Sequence, residues 1–218
     1  MTSLIILGAG GHGKVVAETA IASGIFKKIA FLDDRYSNKN HPLEKFHNLE
    51  IIGNLSSSID KDISLSYSHA VVALGNNKLR ISWLEKLLKK KYILPTLIHP
   101  TAWVSPSAVI NSGTVIFAKV VVQANAKIGF GTILNTGSVI EHDVVLESGV
   151  HICPSASLAG GVLVGKRSMV GLGSSVIQNI IIGSDVNLGA GSTVIKNLPN
   201  KITAIGSPAK ILSKGKIV

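Results

Sequence analysis

The hydrophobic positions obey two different rules along this chain, and the change falls near Ile98-His99-Pro100. Before it, short aliphatic runs alternate with longer mixed segments. Leu4–Leu7 predicts a buried strand, Lys14–Ser23 a helix closed by Gly24, and Ile29–Leu32 a second strand ending at Asp33-Asp34. Ala70–Leu74 predicts a third strand, followed by Gly75-Asn76-Asn77 and a helix from about Lys78 to Lys91. Alternation of β and α with glycine-rich turns predicts a small parallel sheet. From Tyr36 to Asp62 the sequence is polar and rich in turn residues, with one candidate strand at Glu50–Ile52.

After the change the chain becomes periodic. Every sixth residue from Val104 to Val194 is Val, Ile or Leu, sixteen positions without a slip in register. Two places earlier in the hexad the residue is often small, as at Ala102, Ala126, Thr132, Ser138, Ala156 and Ser174, and Gly often follows the aliphatic residue, as at Gly129, Gly165 and Gly171. A period of six does not match the 3.6 residues of a helical turn, so helices are excluded here. Aliphatic inward, small at a tight corner and Gly where the chain turns is the pattern of a β-solenoid. Three hexads make one 18-residue coil, so about five coils are expected. The predicted domains are 1–99, 100–195 and a closing segment 196–218.

Composition narrows the class. With 218 residues, 46% hydrophobic and only 16% charged, the chain can bury a core and is not a disordered polymer. No run approaches the roughly 18 apolar residues of a membrane span. The N-terminus has no basic region before its first strand, so no signal peptide is expected. The single cysteine, Cys153, cannot form an internal disulfide and fits a reducing, cytoplasmic setting. The net charge of +10 is divided: residues 1–100 carry 13 basic and 8 acidic side chains, residues 101–195 four of each, and residues 196–218 five lysines and no acid. Nucleic-acid binding would favour one basic stripe interleaved with aromatics, which are only 5% here. Small phosphorylated ligands and simply solvated lysines both remain open for this basicity. His41, His47, His69 and His99 have no ligand spacing around them, and no metal site is expected.

The candidate chemistry lies in two places. Gly8, Gly10 and Gly13 satisfy G-x-G-x-x-G between the first strand and the first helix, with Asp33 about 20 residues on. About three strands make only half a dinucleotide domain, so one nucleotide, its diphosphate held on backbone amides and the helix N-terminus, is the economical reading. The glycines alone also allow an NAD-dependent enzyme, a reading that a β-solenoid does nothing to support. In the periodic half, His142 comes two places after the inward Ile140 and faces outward, where an imidazole suits general base work near neutral pH. Asp143 beside it could orient the ring. Glu141 reads as a solvated position, and Cys153, with no partner signature, as a structural small residue.

The hexad repeat resembles the left-handed parallel β-helix of the hexapeptide-repeat acyltransferases, an exception to the right-handed crossover rule. The tail Ala204-Ile205-Gly206-Ser207-Pro208-Ala209-Lys210 is similar to that superfamily's closing element. Gly8-Ala9-Gly10-Gly11-His12-Gly13-Lys14, Phe31-Leu32-Asp33-Asp34, Leu74-Gly75-Asn76-Asn77 and Asn135 through Asp143 together resemble the bacterial acetyltransferases of nucleotide-linked 4-amino-4,6-dideoxy sugars. The sialic-acid O-acetyltransferases are similar too. The resemblance covers essentially the whole chain, in the same domain order.

What the resemblance implies is a small Rossmann-like α/β domain followed by a left-handed parallel β-helix, assembled as a trimer with sites between subunits. It implies acetyl-CoA as co-substrate and direct acetyl transfer, with His142 as base and Asp143 as its acidic partner. It assigns His151, Leu172 and Ala190 to acetyl-CoA, and Gly10, Gly11, His12, Asp33, Asp34 and Gly75 to the nucleotide sugar. Lys196, Lys201 and Lys210 could meet CoA phosphates or be solvated. The implied acceptor is the 4-amino group of a UDP- or GDP-linked, bacillosamine- or perosamine-type sugar, destined for surface polysaccharide or protein glycosylation. O-acetylation of a sialic-acid-like sugar and a non-catalytic sugar-nucleotide-binding regulator are the alternatives.

Overall fold

The structure, a computed structural model, describes residues 2–37 and 46–212. His41, in the polar stretch after Tyr36, and Lys214 and Lys216 of the basic tail lie outside the described residues. The chain divides into two compact units, Met1–Pro100 and Thr101–Val218.

The first unit contains β1 (Ser3–Leu7), α1 (Gly11–Ala22), β2 (Lys28–Leu32), α2 (Lys61–Ser66), β3 (His69–Val72) and α3 (Asn77–Lys89). Its strands are parallel in the order β2-β1-β3. All five residues of β1 are buried, as a continuous aliphatic run in a central parallel strand should be. Helix α1 begins at Gly11 rather than Lys14, because the glycine run itself makes the first turn and the Lys14 N–H bonds the Gly10 carbonyl at 3.0 Å. Helix α2 is an element the sequence pattern does not announce, since none of its six residues is buried and no apolar stripe marks it. The candidate strand at Glu50–Ile52 is reduced to one parallel bridge between Ile51 and Phe31. Ile93 bridges His69 on the opposite edge, so both sheet edges are covered.

The second unit is a parallel β-solenoid. Two-residue strands run from Trp103–Val104 to Thr193–Val194, and successive strands on each of three faces are 18 residues apart, as in Val121↔Val139↔Ser157. The hexad aliphatics fill the interior: from Ile116 to Val194 none is more than 3% exposed, while Val104 and Ile110 in the first coil are half-buried. The small residue two places earlier also points inward. Thr132, Ser168 and Ser174 are fully buried, and their hydroxyls bond the carbonyls of Gly129, Gly183 and Gly189 at 2.8, 2.6 and 3.0 Å.

The turning position differs from the expected one. The chain turns three places after the aliphatic residue, where Gly137, Asp143 and Gly149 take φ of 68°, 60° and 74°. Glycines directly after the aliphatic residue serve coil stacking instead: a Cβ on Gly129 would stand 2.6 Å from the Glu147 carbonyl carbon. The period also shortens at the end, because Ile182 bridges Leu198 and Asn187 pairs with Thr203, both 16 residues on. Leu198 and Ala204 continue the core beyond the last hexad, and Lys210–Ile211 closes it by antiparallel pairing with Thr203–Ile205. Among the described residues no helix is long and apolar enough to cross a membrane.

Candidate active site

The solenoid has three corners, and one of them presents His142 and Asp143. Residues 125, 143, 161 and 179 stack along that corner with φ between 57° and 70°, and the Asp143 N–H bonds the Ala124 carbonyl of the preceding coil at 3.0 Å. The left-handed backbone at Asp143 brings its carboxylate beside its neighbour's ring, where Oδ2 lies 2.8 Å from His142 Nδ1. Both side chains are exposed, the His142 ring by 64%. An Nδ1–H donated to Asp143 leaves the lone pair on Nε2, which makes that nitrogen the proton acceptor of an exposed ring. Hydrogen bonds from His142 and Asn125, aided by the charge of Lys127, hold the Asp143 carboxyl below the usual carboxylate range. Ser107, Val109, Asn125, Lys127, Asp143 and Val145 line an open groove of 470 Å³ along this corner.

Gly160, one coil later, is a site residue the sequence reading passes over. A Cβ there would stand 2.5 Å from both Cε1 and Nε2 of His142, so the ring rests against a backbone that has no side chain at that point. Glu141 is half-buried within the strand ladder, its N–H bonded to the Leu158 carbonyl at 3.0 Å.

His151 opens the strand His151–Ile152 on another face, paired with Ile133 and Met169. The side-chain amide of Asn135, on the preceding coil, lies 3.3 Å from its Nε2. Leu172 and Ala190 are both exposed and stack at the corner this face leads into, with the Gly191 N–H bonded to the Leu172 carbonyl at 2.8 Å. The structure thus places Leu172 and Ala190 at one corner and His142 with Asp143 at the next, while His151 stacks with Met169 and Asn187 on the face that leads into the first. Within one chain a face of the prism separates the two corners. Cys153 is half-buried, and burial pushes its thiol up to about 11, which keeps it protonated and a poor nucleophile. Lys196, Lys201 and Lys210 are exposed.

In the first unit, the six remaining candidates gather at the carboxyl ends of β1, β2 and β3. Chain order reverses between β1 and β3 there, the place where open parallel sheets bind ligands. Each glycine of the fingerprint has its own physical reason. Gly8 has φ 105°, and a Cβ on it would meet the Ala73 carbonyl at 2.7 Å. One on Gly13 would run into the Gly8 carbonyl, so α1 packs directly onto the strand end. Gly10 and Gly11, by contrast, face open space, as does Gly75 across the crevice. A ligand can therefore approach the backbone at the N-terminus of α1, whose first turn carries no acid to repel an anion.

Asp33 Oδ2 accepts the Ala9 N–H at 2.7 Å, and its Oδ1 pairs with Arg35 Nε at 2.8 Å. Burial opposes ionisation of this carboxyl, but the Arg35 and Ala9 hydrogen bonds outweigh it and lower it to about 2. Asp33 thus ties the glycine loop to the end of β2. Asp34 Oδ1 accepts the Leu55 N–H at 3.0 Å and ties down the following segment. His12 sits in the first turn of α1, held neutral by burial and by the nearby Arg80, which lower it to about 4. Arg80 is only 1% exposed and donates to the Leu74 carbonyl at 3.1 Å, while burial pulls it down to about 9. Nothing local in the sequence distinguishes Arg80 from the solvated lysines around it.

Comparison with known proteins agrees with both halves. The family described as the PglD N-terminal domain matches residues 3–87. UDP-N-acetylbacillosamine N-acetyltransferase of Bacillus subtilis is 42% identical over 119 residues, which are 54% of this chain and 52% of that protein. The match thus spans about half the length of that curated relative. The acetyltransferase domain of PglB from Neisseria gonorrhoeae, solved with acetyl coenzyme A, superposes with a TM-score of 0.89 at 40% identity over 96% of this chain and 98% of that one. PerB from Caulobacter crescentus, solved with CoA and GDP-perosamine, gives 0.90 at 35% identity over 98% of each chain. With this likeness running through both units, the chain belongs to the hexapeptide-repeat nucleotide-sugar acetyltransferase family.

Proposed function

We propose that this chain transfers an acetyl group from acetyl-CoA to the 4-amino group of a UDP- or GDP-linked 4-amino-4,6-dideoxyhexose, with His142 as general base. The observation that carries the reading is the exposed His142–Asp143 pair, whose 2.8 Å bond leaves Nε2 as the proton acceptor. The sugar ammonium must first lose one proton to solvent to become a nucleophile, and a second leaves nitrogen as the tetrahedral intermediate forms. Nε2 accepts that second proton while Asp143 stabilises the imidazolium. The thioester C–S bond then breaks, and CoA departs as a thiol carrying the proton that His142 held. A backbone N–H or an imidazole stabilises the oxyanion. Transfer is direct, because half-burial raises the Cys153 thiol to about 11 and leaves it a poor nucleophile for an acyl carrier.

The nucleotide rests at the switch point of the first unit, its diphosphate against the Gly10-Gly11 backbone and its sugar and base bounded by His12, Asp34 and Gly75. Asp33 holds the glycine loop in place through Ala9. Acetyl-CoA lies along the corner of Leu172 and Ala190 and the adjoining face that carries His151. One chain keeps that corner apart from His142, so a second copy in a trimer completes the site. The trimer itself is the expectation that family membership supports.

The test is thiol release from acetyl-CoA with a panel of UDP- and GDP-linked 4-amino sugars, for wild type and His142→Ala. Turnover by wild type and a loss of about 10²–10⁴-fold in the variant, with KM for acetyl-CoA little changed, is the expected result. Turnover confined to hydroxyl acceptors would replace the amine reading with O-acetylation. No turnover on any acceptor, with the protein folded, would sink both.

A further inference from the structure

The His142–Asp143 pair stands on a corner whose previous coil offers a polar side chain at the same height. Asn125 occupies the corner position 18 residues before Asp143, with φ 57° against 60°. Its backbone is pinned by an N–H bond to Ser107 Oγ at 3.1 Å. Its side chain shares the wall of one groove with Asp143 and Lys127, and its amide is among the groups that hold the Asp143 carboxyl below the usual range. On the coil above, the same corner is Gly161, next to Gly160, and neither has a side chain to bond the carboxylate from that side. Asp143 is otherwise an exposed side chain, and an exposed carboxylate rotates freely about its χ angles.

We propose that Asn125 is a positioning residue: its amide fixes the Asp143 carboxylate in the orientation that offers Oδ2 to His142 Nδ1, and so aims His142 Nε2. The inference rests on the reading of His142 as the proton acceptor. Its geometric content is separate, because it concerns how Asp143 is held whether or not a substrate is present. Lys127 stands two places after Asn125 and faces the same carboxylate. Glu141 and His142 are the other titratable groups beside it, and the stretch 159–163 on the coil above contributes no charge.

Two substitutions separate the side chain from the backbone. Asn125→Gly removes the amide yet suits the left-handed φ, as Gly161 does at the equivalent corner. Asn125→Asp keeps size and shape and replaces a donor by a like charge. The first readout is the Asp143 carboxyl titration, followed by carbon-13 NMR on the intact protein without substrate. Loss of the donor moves its midpoint up toward the ordinary carboxylate value in Asn125→Gly and further up in Asn125→Asp. An unmoved midpoint in both variants overturns the proposal.

The second readout is steady-state acetyl transfer. In Asn125→Gly, kcat is expected to fall by about tenfold with KM for acetyl-CoA within about twofold, since only the aim of the base is lost. A kcat equal to wild type, alongside an inactive His142→Ala, also overturns it. If wild type turns over none of the acceptors, the acetyl-transfer reading fails, and the carboxyl titration alone decides whether Asn125 holds Asp143.

Discussion

Ser138 is the residue at which this solenoid departs from its own rule. It occupies the inward corner position two places before Ile140 and is fully buried, yet among the described residues its hydroxyl has no hydrogen-bond partner. Thr132 and Ser168, at equivalent places, bond backbone carbonyls, and Ala126 and Ala156 show that a methyl fits there. Ser138→Ala is therefore expected to stabilise the fold by about 0.5–1 kcal/mol, read from chemical denaturation. A loss of stability would mean that the hydroxyl is satisfied. The same scale shows what a single residue reveals in sequence. That His142 faces outward follows from its distance from Ile140, because the alternation of side chains is local. That Asn125, Asn135 and Gly160 adjoin His142, Asp143 or His151 does not, since each stands on a neighbouring coil. The signal that could find them is the 18-residue spacing applied to the polar positions as well as to the aliphatic ones.

Among the coils, the two classes of glycine give opposite expectations. A Cβ on Gly171 would lie 2.5 Å from the Leu188 carbonyl oxygen and 2.7 Å from the Ala190 nitrogen, both backbone atoms that cannot swing aside. Gly171→Ala must force adjacent coils apart and is expected to cost about 2–3 kcal/mol, moving Ala190 with it. Gly173 has φ 64° and open space around its Cβ position. Gly173→Ala meets only the left-handed penalty of about 1 kcal/mol. Thermal midpoints of the two variants check the contrast, and equal losses would show that coil stacking is looser than these distances. At this scale the strands and the period are legible because the interior of a narrow prism admits one aliphatic row per face. The 16-residue last coil is not, because Leu198 and Ala204 leave the hexad register and find the core only through pairing.

The first unit carries two groups that make its stability sensitive to acid. His12 binds its proton at about 4 in the folded chain against 6.5 for an ordinary histidine, lowered by burial and then by Arg80. Between those values the unfolded chain holds a proton that the folded one refuses, so stability falls as pH drops from 6.5 to about 4 and then levels. The loss at the lower end is roughly 2–3 kcal/mol, and it belongs to the first unit. His12→Gln should flatten that region of the profile, measured by denaturant unfolding at pH 4.5 and pH 7, and an unchanged slope would place the effect elsewhere. Asp33 acts in the same sense at lower pH: its depressed carboxyl contributes stability above the ordinary carboxylate value, lost as pH falls through about 2.

Periodicity and motif placement were enough, without coordinates, to read a parallel α/β sheet followed by a solenoid, the outward aim of His142 and the glycine loop after β1. These depend on neighbours in the chain, and hydrophobic period and turn chemistry act over a few residues. Contacts between residues 16 or more apart were decided by the tertiary structure alone. Coil stacking sets Asn125 against Asp143 and Gly160 against His142, and α3 buries Arg80 near His12. Such contacts arise from the register of one coil on the next and of helix on sheet, which backbone hydrogen bonds and close packing fix only once the whole unit has formed.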